Sequence, residues 1–397
     1  VIRSISRSRY GAAGLSLVEL MVAILIGSIL MMGLVQVFAA SRTAYQLSQG
    51  VARAQENGRF AMDFLLHDLR MVGHSGCVND QALTMLGGGG INQHFNAASY
   101  PLRFDVSLQG YEANGTGSGV EITLPAAGVE GAGTDWTPAL PAELLGIPNG
   151  PIAGSDVIVL RFLAPIGTTL SGFAAGSPAT VTPTVDGAGV TREFAGTRSL
   201  FGLADCQRAS IFQATTINAT TGAITVAGNG LNTSTLGGLE NYGGGQAVLY
   251  RAETVAYYVA LNPEGAPALY RVRWEAAPGV NALTRTPEEL VEGIETLQIM
   301  YGRDSAPITD PAPTGYMSTV ATADALGDPV ADNTKIQGWR RVGAVQLGMI
   351  ARSTLPSANN SQPKESVLGT RFVAPDDKRY RATYENTVAL RNRMFGN

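Results

Sequence analysis

A chain of 397 residues, 45% hydrophobic and only 15% charged, can bury a large core, and its formal net charge of −4 argues against a general nucleic-acid binder. Its 48 glycines suit a loop-rich β head better than a helical bundle, and with three histidines and two cysteines the usual catalytic and metal-ligating side chains are scarce.

The chain opens on VIRSISRSRYGAAG, which carries Arg3, Arg7 and Arg9 and no acid. From Gly14 to Ala40 follows an apolar run with a single charge, Glu19, near its start. The charge-free stretch from Leu20 to Ala40 makes roughly 32 Å of helix, close to the ~30 Å hydrocarbon layer of a bilayer. The basic end stays cytoplasmic by the positive-inside rule, which sends the rest of the chain outward. In a secretory signal peptide the small residues follow the apolar core. Here Gly11 to Gly14 precede it, an order in which processing removes the basic leader, residues 1–14, and keeps the helix. A carboxylate inside a membrane helix costs a few kcal/mol, so Glu19 is either functional or close enough to the interface to stay solvated.

Gly14 followed by LSLVELMVAILIG resembles the class III signal of type IV pilins and of type II secretion pseudopilins. The resemblance implies that a prepilin peptidase cuts after Gly14 and methylates the new N-terminus, Leu15, which stands where the family usually has Phe. It also makes Glu19 the glutamate at the fifth mature position, where it pairs with the α-amino group of a neighbouring subunit and sets the register of packing helices.

Beyond Ala40 the helical pattern continues. Leu47, Val51, Ala54, Gly58, Ala61, Leu65, Leu69 and Val72 step by three or four and line one face, while Arg53, Glu56, Arg59, Asp63 and Arg70 line the other. With no proline before Pro101, one helix is predicted from about Leu15 to Val72, its half over 15–40 in the membrane and its half over 41–74 amphipathic. Gly73 and the Gly76-Cys77 turn end it.

Residues 75–397 read as a β-rich head. The run Gly87 to Gly90 is a loop without the lysine of a P-loop. Strands are predicted at Val120 to Leu124, Asp156 to Phe162, Thr254 to Leu261, Leu269 to Trp274, Leu297 to Tyr301 and Val345 to Arg352. Ser171 to Gly245, rich in Gly and Thr, is either an elaborated β region or a long insertion. Thr286-Pro287-Glu288-Glu289 has the spacing of a capping box and predicts a helix start.

Cys77 and Cys206 favour a disulfide if the head lies in an oxidising compartment, the alternative being two buried thiols. His67, His74 and Cys77 lack a nearby carboxylate to complete a zinc site. Asp304 to Asp310 and Asp376-Asp377 do not follow the spacing of a known calcium loop. From Ala331 to Asn397 eleven Lys and Arg stand against five Asp and Glu, which is either a basic face for an acidic partner or DNA, or a surface paired internally.

The order of DVIVLRF, YYVALNPEGAPALYRVRW, LVEGIETLQIMYGRD and TVALRNR is similar to that of the large minor pilins of the PilW family, and at fold level to the J-type minor pseudopilins of type II secretion. This implies an α+β, type IV pilin-like fold: a long N-terminal helix, membrane-spanning in its first half, packed on one antiparallel β-sheet head. It implies a structural subunit without catalytic residues, cofactor or metal, held in the inner membrane with a periplasmic head and then built into a cell-surface pilus. Its partners would be the prepilin peptidase, the major pilin, other minor pilins and a tip adhesin. A type II secretion pseudopilin and a single-pass membrane enzyme with an outward head are the alternatives.

Overall fold

The computed structural model describes residues 14–79, 91–95, 100–125, 128–184, 198–238, 240–243, 245–306, 314–356 and 365–393. The basic residues Arg3, Arg7 and Arg9, the glycine run Gly87 to Gly90 and Asp310 lie outside them. The chain forms two units, residues 1–49 and 50–397.

The described part of the first unit is the N-terminal portion of a helix, α1, which spans Leu17–Met71. Its apolar side chains from Leu17 to Phe38 are exposed, and this helix is long and apolar enough to cross a membrane. Two of its hydroxyls are satisfied within the helix: those of Ser28 and Thr43 donate to the carbonyls of Leu25 and Ala39, at 2.8 and 3.0 Å.

In the second unit α1 turns a stripe of small and aliphatic residues inward. Gly50, Ala54, Gly58, Ala61, Leu65 and Leu69 are buried at helical spacing, whereas Leu47, placed on this face by the sequence pattern, is exposed. The stripe shares a core with a four-stranded antiparallel sheet ordered Met317–Ala321, Ile294–Asp304, Val342–Arg352, Arg381–Ala389. Small residues allow the close approach: a methyl group on Gly58 would overlap the ring of Tyr384.

The larger sheet is built on the antiparallel pair Val157–Ala174 and Val248–Leu261. The first also pairs with Leu108–Ala113 and Ala179–Pro183, and the second with Leu200–Ala204 and Pro267–Glu275. Alternation is clear only where one face meets water; Val157 to Leu163 is buried on both faces and reads as an apolar run broken by Arg161, whose buried guanidinium donates to the carbonyls of Tyr100, Pro101 and Val106. A small third sheet joins Glu365–Val367, Thr370–Val373 and Glu121–Thr123. The Gly/Thr-rich region is an elaborated β region: Ala179–Pro183, Leu200–Ala204, Ala209–Gln213 and Ile224–Val226 lie within it and close over their own core of Val181, Phe201, Phe212, Ile224 and Leu249.

The capping-box expectation at Thr286 to Glu289 is overturned. These residues lie in the strand Thr284–Glu292, antiparallel to Pro267–Glu275 at the edge of the larger sheet. Pro287 is tolerated because an edge strand has a side on which no ladder N–H is needed, and Glu288 pairs across the ladder with Arg271 at 2.8 Å. A local helix signal of four residues yields to a ladder of eight residue pairs.

Candidate assembly site

Gly14, Leu15 and Ser16 are non-helical, and Leu15 is 74% exposed. The helix begins after them because Ser16 caps it: its hydroxyl accepts from the Glu19 N–H at 3.1 Å, and its carbonyl accepts from the Leu20 N–H at 3.1 Å. Helix geometry therefore starts at Leu17 and not at Leu15. Glu19 falls in the first turn, where the partial positive charge of the helix end favours a carboxylate. Ser16 was not singled out from the sequence, although Ser16-x-x-Glu19 has the spacing of a capping box.

At the other end, α1 is fixed to the head through a buried acid. The Tyr257 hydroxyl donates to Asp68 Oδ2 at 2.6 Å, Arg271 Nη1 stands 3.5 Å from the same oxygen, and His67 Nδ1 lies 3.1 Å from Oδ1. Burial, and then the charge of Asp68, push the Tyr257 phenol far above its ordinary range, so it remains a donor. Asn57 adds a bond from its amide to the Glu292 carbonyl at 2.9 Å. On a neighbouring side of the helix Phe60 and Phe64 stay exposed, in a groove lined also by Arg53, Glu56, Leu290 and Thr354.

Cys77 and Cys206 are joined as a disulfide with Cα atoms 5.0 Å apart. Each sits in a hairpin turn, the first between His74–Ser75 and Val78–Asn79, the second between Leu200–Ala204 and Ala209–Gln213. Gly76 adopts φ of 80°, which glycine accepts without a Cβ penalty, and a Cβ there would crowd Ala204 at 2.8 Å.

The remaining candidates find protein partners. His67 does have a carboxylate beside it, Asp68, but His74 Nδ1 bonds the Leu163 carbonyl at 2.8 Å and Cys77 is taken by the disulfide, so the three do not form a metal site. Among the described residues, no group of three His, Cys, Asp or Glu is placed to hold a metal ion. Asp304 is filled by the N–H groups of Ala306, Thr314 and Gly315, at 2.6 to 3.0 Å. Burial raises its pKa, but these bonds outweigh burial and hold it below the usual carboxylate range. Arg381 takes Asp377, at 2.7 Å, in the same way.

The basic C-terminal stretch is largely paired internally. Arg352 and Arg381 share Glu295 at 3.0 and 2.7 Å, Arg340 donates to the Asp105 carbonyl at 2.9 Å, and Arg393 donates to the Trp339 carbonyl at 2.7 Å. The count of charges therefore overstates the free positive surface.

Two buried acids had no signal in the sequence. Asp156 accepts from the Ala113 and Ile299 N–H groups, both at 2.8 Å, and so ties the strand Leu108–Ala113 to Ile294–Asp304, one from each of the two larger sheets. Burial, then the neighbouring Glu112, raise its pKa well above the ordinary value. Glu112 is raised to about 7 by burial and by Asp324, with a bond from Thr116 acting in the opposite sense.

Residues 9–35 match the prokaryotic N-terminal methylation motif, and residues 256–392 match the family described as type IV pilus-assembly protein W. No curated protein and no solved structure matches the chain. The first match holds Gly14, Leu15, Ser16 and Glu19. The second runs from the Val248–Leu261 strand through the four-stranded sheet on which α1 packs. The two matches, over residues 9–35 and 256–392, support a minor pilin of the PilW type, and the apolar helix with its methylation motif supports anchoring in the inner membrane for assembly into a type IV pilus.

Proposed function

We propose that a prepilin peptidase cuts this chain between Gly14 and Leu15 and methylates Leu15, and that the processed subunit enters a minor-pilin complex that primes the pilus and stays near its tip, under an adhesin. The observation that carries the reading is the methylation motif over residues 9–35, whose Gly14–Leu15 bond lies in non-helical chain just ahead of the Ser16 cap. Extended chain is the form a peptidase can bind, and the cap keeps that form from being drawn into the helix.

Once the leader is gone, the Leu15 amine is a cation, and Glu19 of a neighbouring subunit is its natural counter-ion in a dry helix bundle. An unpaired carboxylate there costs a few kcal/mol, so the pair selects one register. The head supplies the lateral contacts to other minor pilins and the major pilin, with Phe60, Phe64 and Leu290 as the apolar part of one such surface. The match to the pilus-assembly family favours a pilus over a type II secretion filament.

Intact mass of the protein from membranes of cells with and without the peptidase tests the cut. The expected result is loss of residues 1–14 and gain of one methyl on Leu15, in the presence of the enzyme only. An unprocessed mass in both strains overturns the proposal.

A further inference from the structure

His94 is one of three histidines and has no part in the assembly site. It follows the short strand Ile91–Gln93 and is buried, its N–H bonded to the Ile211 carbonyl at 2.9 Å. Its Nε2 lies 3.0 Å from Glu240 Oε1, and its Nδ1 lies 2.8 Å from the hydroxyl of Ser234. Ser234 is exposed; Glu240 is not. A buried acid, a buried imidazole and a surface hydroxyl thus stand in one line.

Glu240 is held as an anion. Burial raises its pKa, but hydrogen bonds from His94 and Ser210 and one from the Gly237 N–H outweigh burial and bring it down to about 2. Asn92 also donates to it, at 3.0 Å. An ionised carboxylate only accepts, so Nε2 carries a proton, and in the neutral imidazole Nδ1 is then the acceptor that faces the Ser234 hydroxyl.

The loop around Ser234 is pinned on both sides. Thr233 donates from its N–H and its hydroxyl to the His94 carbonyl, at 2.7 and 3.1 Å. Thr235 donates from its hydroxyl to the carbonyls of Val226 and Gly176, at 2.7 and 2.9 Å. Asn232 bonds both backbone groups of Gln213, at 2.7 and 2.8 Å. The N–H groups of Ser234 and Thr235, by contrast, have no acceptor among the described residues. N–H groups on a nucleophile and on the residue after it are the donors that an oxyanion formed at the hydroxyl would need.

We propose that Ser234, His94 and Glu240 form an acyl-transfer centre on the surface of the head, with Ser234 as nucleophile, His94 as general base and Glu240 as positioning residue, acting on small esters. Ser234 Oγ bonds to the ester carbonyl carbon as its proton passes to His94 Nδ1, and the carbonyl electron pair moves to oxygen, facing the Ser234 and Thr235 N–H groups. Collapse of this adduct breaks the bond to the alcohol, which leaves with the proton from Nδ1. Water then attacks the acyl-serine, gives a proton to Nδ1, and releases the carboxylic acid as that proton returns to Ser234 Oγ.

The test is labelling of the full-length protein in detergent with a fluorophosphonate, read by intact mass and peptide mapping, together with hydrolysis of p-nitrophenyl acetate. One adduct is expected, on Ser234, formed at least tenfold faster than on the exposed Ser171, and absent in S234A. E240Q keeps the shape but removes the charge that fixes the tautomer, and should slow labelling of Ser234 by tenfold or more. S234A is a surface change and should keep the parent melting temperature, so its loss of labelling cannot be assigned to unfolding. Labelling of Ser234 no faster than of Ser171, or ester hydrolysis unchanged in S234A, overturns the proposal. Neither result bears on cleavage after Gly14.

Discussion

Glu112 is a carboxyl group whose neutral form the fold favours, raising its pKa from 4.5 to about 7. It is buried, its Oε2 has no hydrogen-bond partner among the described residues, and the charge that acts on it, from Asp324, is of its own sign. A native pKa of about 7, raised from 4.5, means that the native state binds the proton more tightly than the unfolded chain does. The stability from this group is therefore complete below the unfolded pKa and is lost as pH rises through 7. We expect the parent protein to lose about 2–3 kcal/mol more than E112Q in urea melts between pH 5 and pH 8. E112Q, fixed in the neutral form, should remove most of that slope and be the more stable of the two at pH 8. Asp377 is the opposite case: Arg381 lowers its pKa despite burial, so its contribution is present above the usual carboxylate range and is lost on acidification. The signs differ because one acid faces acids and the other faces guanidinium groups. Nothing in the local sequence around Glu112 announces this, since Asp156 and Asp324 become its neighbours only through folding.

At the scale of elements, α1 was legible because its periodicity spans many turns and no proline interrupts it. Its start was read two residues early, since the Ser16 cap was overlooked, and its buried stripe begins at Gly50 and not at Leu47. Gly58 marks where propensity and packing oppose each other. Alanine there would gain up to about 1 kcal/mol of helix propensity, but its methyl would enter the Tyr384 ring, and overpacking of this kind costs about 1–3 kcal/mol. We expect G58A to lower the melting temperature, and the G58A/Y384A pair to cost less than the sum of its parts, because removing the ring makes room for the methyl. The strand Thr284–Glu292 teaches the converse. Its capping-box spacing is a local signal worth about 1 kcal/mol, outweighed by the ladder to Pro267–Glu275 and the Arg271 to Glu288 pair.

At the scale of the whole molecule, the disulfide between Cys77 and Cys206 spans a sequence separation of 129 and ties the chain leaving α1 to a hairpin of the elaborated β region. In the chain-entropy model a closure of that length is worth on the order of 4–5 kcal/mol. Reduction, or the C77S/C206S double substitution, should lower the urea midpoint accordingly and should loosen the hairpin at Leu200–Ala204 first, as read by hydrogen exchange of its amides. Equal midpoints for the oxidised and reduced protein would show that the sheets hold the head without it.

What the sequence by itself determined is what depends on composition and on short, contiguous patterns. The apolar span, the leader motif around Gly14, the amphipathic continuation of α1 and the strands of the closing sheet are all written in neighbouring residues, because hydropathy and helical or alternating periodicity act within a few turns. What only the tertiary structure decided are the relations between distant residues. The meeting of Glu112 with Asp156, the fit of Gly58 to Tyr384, the placement of Thr284–Glu292 in a sheet, the internal pairing of the C-terminal arginines, and the line from Glu240 through His94 to Ser234 all join groups far apart in the chain. Their energies come from burial and from contact geometry, and neither exists until the chain has closed on itself.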